Sequence, residues 1–590
     1  MNITAFQRLG ASLLLAAGLY GCGGSSGSSG SYTPPGPVDQ TLRSTSYGLV
    51  QGSDDSAASG TYAWKGIPFA KPPVGALRWK APVEPDAWSS TLTTRAFGNA
   101  CIQYGRIYGP GANNKYDATI GTTLNTAVGK EDCLTLNIWR PASTDASLPV
   151  IYFIYGGSDV SGYSADPMYD GAALAKSANA VVVTANYRVG LFGWLNLPQL
   201  KSGANANDDS GNFGTLDTLQ TLRFINKNIA SFGGDAGNVT VMGQSAGAIN
   251  VYALMTSPQV VSASPKLFHR AVAISGGISL ASQLPPGSIA TLNPASTYLA
   301  QGNALLNNLL IADGRATDAA SAQAYAATQT NDQIASYLRG KDGTAIFTVL
   351  LTKLAAVGLS GSGPIPEGTV VPVDPVAAIN AGKYLKVPLL ASNTRDEAKL
   401  FASFLALAPA LGGVPGLIVS DASRYATMFT FNPDAPTTLT TADFINPQYL
   451  PVATPGTGYN AKTDLLNSIF FLPSRDNVLG ALKSQQSNVW YYQFNWDKEP
   501  APWNDVYGAA HAFDLPFLFG NFGPSLFGNV IGGNANKGGR LALSNAMMKS
   551  LAAFARNGDP NDPALGVTWP TWPRKLVFDA TLTDKAISAP

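Results

Sequence analysis

The stretch Asn238-Val239-Thr240-Val241-Met242-Gly243-Gln244-Ser245-Ala246-Gly247 constrains the fold more than any other part of the chain. Its apolar, β-branched first half reads as a strand, and Ala248-Ile249-Asn250-Val251-Tyr252-Ala253-Leu254-Met255 after it can continue as a helix. A strand that turns so abruptly into a helix leaves no space for a Cβ on either side of the central residue. Small residues are therefore required at 243 and 247. The turn forces Ser245 into a strained, exposed backbone conformation, with its hydroxyl at the N-terminal end of a helix whose dipole favours negative charge. A bare Gly-x-Ser-x-Gly is weak evidence in a chain with 61 glycines; the strand before it and the helix after it give it meaning.

The same alternation recurs along the chain. Pro149 to Tyr155 is an apolar strand running into Gly156-Gly157-Ser158, and Val181 to Tyr187 is another. Thr218 to Ile229 has helical spacing, Lys386 to Ser392 reads as a strand ending in Asn393-Thr394-Arg395-Asp396-Glu397, and Val489 to Phe494 is followed by a long loop holding Gly508-Ala509-Ala510-His511. Ser544 to Arg556 reads as a helix. Strands of continuous apolar character alternating with helices predict an α/β fold with a mostly parallel sheet covered on both faces. In such sheets chemistry is expected in the crevice at the carboxyl ends of the strands. Residues 280–365, Ala- and Leu-rich with helical spacing, read as a helical cap or insertion over that crevice.

Composition removes several function classes. Net charge is +1, only 13% of residues are charged against roughly 25% in ordinary soluble domains, and no run of like charge occurs. Nucleic-acid binding and electrostatic attraction to anionic membranes are therefore not expected. Three cysteines and two histidines, none at CxxC or HExxH spacing, predict no metal. The absence of G-x-G-x-x-G and P-loop patterns argues against nucleotide cofactors, and no cofactor is expected. Any histidine base must be His269 or His511. His269, just before an apolar run, reads as a surface or packing residue.

Arg8 followed by the apolar stretch Leu9 to Gly21 reads as a secretory signal over residues 1–21, too short to span a bilayer. Leu19-Tyr20-Gly21-Cys22 is similar to a bacterial lipobox, which makes Cys22 the expected lipidation site; an ordinary signal peptide with a nearby cut is the alternative. Residues 22–43 then form the anchor site and a Gly/Ser/Pro linker, leaving 44–590 as the folded domain. In an exported protein Cys101 and Cys133 read as a disulfide, with two buried free thiols as the alternative.

Short motifs in a fixed order extend this reading: Gly66-Ile67-Pro68-Phe69-Ala70, Glu131-Asp132-Cys133-Leu134-Thr135-Leu136-Asn137, Asn186-Tyr187-Arg188, Gly211-Asn212-Phe213-Gly214, Phe232-Gly233-Gly234-Asp235 and the Gly243–Gly247 turn. With them the chain, from about residue 44 to 575, resembles the type-B carboxylesterases, of the α/β-hydrolase fold shared with cholinesterases and para-nitrobenzyl esterases. The resemblance implies Ser245 as nucleophile, His511 as base and Glu397 as the acid that orients it, with Asp396 the rival of Glu397. It implies an oxyanion hole from the backbone N–H groups of Gly157, Ser158 and Ala246, and a hydrogen bond from Ser275 to the acid. Asp514 matches an acidic family position, and Arg78 and Glu131 match a structural ion pair. The Cys101–Cys133 loop matches the cholinesterase loop that carries a cation-binding tryptophan, but here its aromatics are Tyr104, Tyr108 and Tyr116, so a choline ester is not expected. Ser158 replaces the last glycine of a family triplet that goes with acceptance of tertiary-alcohol esters.

The expected protein is an exported serine esterase, anchored to the bacterial cell envelope by lipid or secreted, acting on small-molecule esters through an acyl-enzyme. Activity is expected to rise through about pH 6–7 as the base loses its proton. A non-catalytic binding protein on an esterase scaffold, or a specialist for aromatic or polymeric esters, are the alternatives. Oligomeric state does not follow from the sequence.

Overall fold

The computed structural model describes residues 39–402 and 416–590; the expected signal peptide, the lipidation site at Cys22 and residues 403–415 lie outside them. Residues Gln40–Pro590 form one unit, and a first short strand at Leu42–Thr45 opens just ahead of the expected boundary at 44.

A ten-stranded sheet organises this unit. In chain order its strands are β1 (Ser53–Asp55), β2 (Thr61–Pro68), β3 (Thr135–Pro141), β4 (Leu148–Ile154), β5 (Val181–Ala185), β6 (Gly234–Gln244), β7 (Arg270–Ile274), β8 (Leu389–Thr394), β9 (Val489–Phe494) and β10 (Leu576–Phe578). Their order across the sheet is β10-β9-β8-β7-β6-β4-β5-β3-β2-β1. From β10 to β5 every neighbouring pair is parallel, and β3, β2 and β1 add an antiparallel edge. Every residue of β4, β5 and β8 is buried, which is why these strands show no polar alternation in sequence. Each fully buried Val, Ile or Leu side chain there contributes about 1.5–3 kcal/mol over its exposed state.

The helices that matter to the site are α1 (Phe213–Asn228) and α2 (Ala246–Thr256), which flank the sheet, and α3 (Ala295–Ala312), α4 (Ala319–Ala327), α5 (Asn331–Arg339) and α6 (Gly343–Val349), which form the insertion. The insertion has its own apolar core, in which Leu305, Leu309, Leu338 and Phe347 pack with Trp79, Phe192 and Leu195. Arg78 fastens its middle, donating to the carbonyls of Leu338 (3.1 Å) and Lys341 (2.5 Å). The C-terminal helix α7 (Lys537–Asn557) is longer than its sequence period suggests and ends at Gly558 in a left-handed conformation, φ 82°.

The strand order reverses at β4: β5 lies on one side of it and β6 on the other. A doubly wound sheet opens its crevice at that point, beyond the carboxyl ends of the strands. β4 delivers Gly156-Gly157-Ser158 there, and β6 delivers Ser245.

Candidate active site

Ser245 sits between β6 and α2 with φ 59° and ψ −123°, a conformation that costs a non-glycine residue of order 1–3 kcal/mol and persists only where the surroundings impose it. The surroundings are steric. A Cβ at Gly243 would lie 2.2 Å from the Gly247 carbonyl oxygen, and one at Gly247 would lie 2.1 Å from that of Ile154. The Ser245 N–H donates to the Ile274 carbonyl at 2.8 Å, tying the turn to β7. The residue is half-buried at the head of α2, whose first N–H, that of Ala246, has no acceptor within the helix.

Glu397 and His511 come from the loops after β8 and β9, and main-chain bonds lace those loops together. The Asp396 N–H donates to the Ala509 carbonyl at 2.9 Å, and the Ala509 N–H donates to Asp396 Oδ2 at 3.0 Å. Glu397 and His511 are thereby brought face to face, with His511 Nδ1–H donating to Glu397 Oε2 at 2.5 Å. Both are buried, Glu397 to 1% and His511 to 3% exposure, so the pair is shielded from screening. Asp396, the rival acid, is paired with Arg395 and makes no hydrogen bond to the imidazole among the described residues. The second imidazole nitrogen, Nε2, lies 2.9 Å from the side-chain nitrogen of Gln244. Among the described residues no hydrogen bond joins His511 to Ser245.

The turn after β4 runs through Gly157, Ser158 and Asp159 with φ of 106°, 58° and 56°. Glycine is required at 157, where a Cβ would lie 2.1 Å from the Ser161 carbonyl oxygen. Ser158 holds the left-handed conformation with a side chain and is exposed, open to a ligand. The motif residues named from sequence brace this turn. Tyr187 OH donates to the Tyr155 carbonyl (2.8 Å) and approaches Asp159 Oδ1 (3.3 Å), while Arg188 forms a buried bidentate pair with Asp217 of α1.

Asp159 is a member of the site that no motif singles out. Its Oδ1 accepts from Asn250 Nδ2 of α2 at 2.8 Å as well as from Tyr187, so one carboxyl joins the turn after β4, the loop after β5 and α2. Burial pushes its pKa up to about 7 against the pull of those two donors. A second buried acid, Asp514, is likewise pushed up to about 7, chiefly by burial and also by the neighbouring Glu397; its Oδ2 accepts from Tyr492 OH at 2.8 Å.

One expected support is not made. Ser275 Oγ is buried without a hydrogen-bond partner among the described residues, while its main-chain N–H donates to the Ser392 carbonyl. Glu397 Oε1 is held by Asn393 Nδ2 and the Thr394 N–H, both at 2.9 Å. A polar residue at the carboxyl end of β8, within one turn of the acid, was the available signal. The expected ion pair and disulfide are both present. Arg78 Nε donates to Glu131 Oε2 at 2.7 Å, and Cys101 and Cys133 form a disulfide closing a separation of 32 residues. His269 is partly buried, with Nδ1 accepting from the Val239 N–H of β6 at 3.2 Å, and takes no part in the site. Phe401 and Phe471 stand 4.9 and 5.3 Å from the His511 ring, with Phe470 beside them, and form an aromatic wall.

A buried imidazole–carboxylate pair beside a serine on a strained strand–helix turn, facing a glycine-rich turn, can activate a hydroxyl and stabilise an oxyanion. Comparison with known proteins agrees. The model of the carboxylesterase family matches residues 39–584. The chain is 30% identical to the para-nitrobenzyl esterase of Bacillus subtilis over 91% of this chain and 95% of that protein. It is also 30% identical to the fumonisin B1 esterase of Sphingopyxis macrogoltabida, over 90% and 85%. Its structure resembles that of a Geobacillus stearothermophilus carboxylesterase with a TM-score of 0.66 at 27% identity, covering 93% and 98% of the two chains. Fold, site and full-length likeness together make this chain a member of the carboxylesterase family, a carboxylic ester hydrolase built on the α/β-hydrolase fold.

Proposed function

We propose that the protein hydrolyses small-molecule carboxylic esters through an acyl-enzyme on Ser245. The observation that supports this best is the buried His511–Glu397 pair, whose second imidazole nitrogen lies against the Ser245 turn, 2.9 Å from the side chain of Gln244. Ser245 Oγ attacks the ester carbonyl carbon while His511 Nε2 takes the hydroxyl proton. Glu397 holds Nδ1–H and stabilises the imidazolium that forms. The carbonyl oxygen becomes an oxyanion facing the N–H groups of Gly157, Ser158 and Ala246. Collapse breaks the bond to the alcohol, which leaves with the proton from His511; water then repeats the sequence on the acyl-enzyme and returns the acid. No cofactor enters any step.

The aromatic wall of Phe401, Phe470 and Phe471 against the imidazole favours apolar or aromatic groups on the ester. The strained Ser158, with its side chain on the oxyanion turn, disfavours bulky tertiary alcohols. We further propose that residues 1–21 direct export and that Cys22 carries the lipid that holds the domain at the cell envelope. Loss of fatty-acid labelling in Cys22→Ala tests the anchor.

The activity is tested by turnover of para-nitrophenyl esters from acetate to dodecanoate by the chain and by Ser245→Ala. Activity lost by several orders of magnitude in the variant is expected. Equal rates in the two proteins would refute the proposal.

A further inference from the structure

The contact between Gln244 and His511 has no part in the mechanism above, yet it occupies the atom on which that mechanism turns. Gln244 is the residue just before the nucleophile and is buried, 3% exposed. Its side-chain nitrogen lies 2.9 Å from His511 Nε2. An amide nitrogen can only donate, so in this contact Nε2 is the acceptor, which matches an Nδ1–H turned toward Glu397. That is the tautomer a general base needs. The amide is confined on its other side, since a Cβ at Gly156 would meet Gln244 Oε1 at 2.8 Å. Gly156, next to the oxyanion donors, thus gives the Gln244 side chain its room.

We infer that Gln244 is a positioning residue that holds the catalytic imidazole neutral and in register in the unliganded enzyme, and that yields its place on Nε2 to Ser245 Oγ when an ester binds. Nε2 has a single lone pair, so the amide and the serine hydroxyl compete for it. A donor to the neutral form favours that form over the imidazolium. The contact belongs to the free enzyme and therefore acts on kcat/KM more than on kcat, because the pH dependence of kcat/KM reports the free enzyme and that of kcat the complex. A carboxylate at 244 would do the reverse, accepting from and stabilising a protonated imidazole.

The other groups facing His511 are Glu397 at Nδ1, Asp514 within its own loop, and the uncharged rings of Phe401 and Phe471; Tyr492 of β9 reaches it only through Asp514. All are unchanged by substitution at 244, so differences between variants isolate this contact.

The inference rests on the esterase reading. Its test is the pH profile of kcat/KM and of kcat on para-nitrophenyl acetate for the wild type, Gln244→Glu and Gln244→Met, with thermal midpoints as a check of folding. In Gln244→Glu the acid limb of kcat/KM is expected to move up by about one pH unit, cutting kcat/KM about tenfold at pH 6 and recovering as the pH is raised, while the kcat limb moves less. Gln244→Met, which keeps the shape and removes the donor, is expected to move the kcat/KM limb in the same direction by a smaller amount. Uniform losses at every pH, with both limbs where the wild type has them, would show Gln244 to be a packing residue and overturn the inference. A wild type inert on the ester would count against the esterase reading instead.

Discussion

Replacing Asp159 by Asn tests how the oxyanion turn is held. Asp159 is buried, 2% exposed, with Asn250 and Tyr187 donating to one oxygen and no cation among its hydrogen-bond partners. Burial pushes its pKa up to about 7, against about 3.9 in an unfolded chain. The folded state therefore binds this proton more tightly than the unfolded chain does. Its contribution to stability is fully present below about pH 4 and is lost as pH rises through 7. Moving a carboxyl over that interval corresponds to about 4 kcal/mol between the two ends. With unfolding entropy near 2 cal/mol/K per residue, a chain of this size shifts its midpoint by about 3–4 °C for that energy. Asn keeps the accepting oxygen and does not titrate. Between pH 5 and pH 8 about 2.6 kcal/mol of that difference is lost, so the thermal midpoint of Asp159→Asn is expected to climb relative to the wild type by about 2 °C over that range, and Asp514, titrating in both proteins, cancels from the difference. A difference that stays constant across that range would refute the reasoning. Asp159→Ala, which takes the acceptor from Asn250 while Tyr187 keeps the Tyr155 carbonyl, is expected to be about 1–3 kcal/mol less stable than Asp159→Asn at every pH.

Replacing both Cys101 and Cys133 by Ser opens a loop of 32 residues and is expected to destabilise the chain by about 4 kcal/mol in the chain-entropy account, read as a lower denaturant midpoint. Glu397→Gln is expected to lower kcat by about a thousandfold or more, and Asp396→Asn by far less, because only Glu397 touches the imidazole. Comparable losses in the two variants would move the acid's role away from Glu397. Ser158→Gly relieves a side chain held at φ 58° and is expected to raise kcat/KM on a tertiary-alcohol ester with little change on a primary one; no gain on the tertiary ester would sink that account of Ser158.

What could be read from the sequence was what depends on local sterics. The turn at Ser245 is legible because Gly243 is forced by the backbone of Gly247 and Ala248 a few residues on, although Gly247 is itself held by Ile154 of β4, and the parallel strands are legible because burial on both faces removes polar alternation. Choosing Glu397 over Asp396 needed the family likeness, since adjacent acids at a strand end are alike until the fold pairs one with Arg395 and turns the other to His511. Support from Ser275 failed because a motif position says nothing of the side chain's direction; Asn393, closer in sequence, does the work. Asp159 and the Gln244 contact were out of reach for a shared reason. Both are defined by partners far away in the chain, Asn250 and His511, brought close only when β4, β6 and β9 assemble.

The most direct test of the whole account is covalent trapping by a para-nitrophenyl phosphonate ester, with the released para-nitrophenolate counted and the modified residue identified by mass spectrometry of the digested protein. The account expects about one equivalent released per chain, the phosphonyl group on Ser245, and loss of both in His511→Ala. Inactivation with the phosphonyl group on another residue, or a Ser245 that stays unmodified while esters are still hydrolysed, would contradict it.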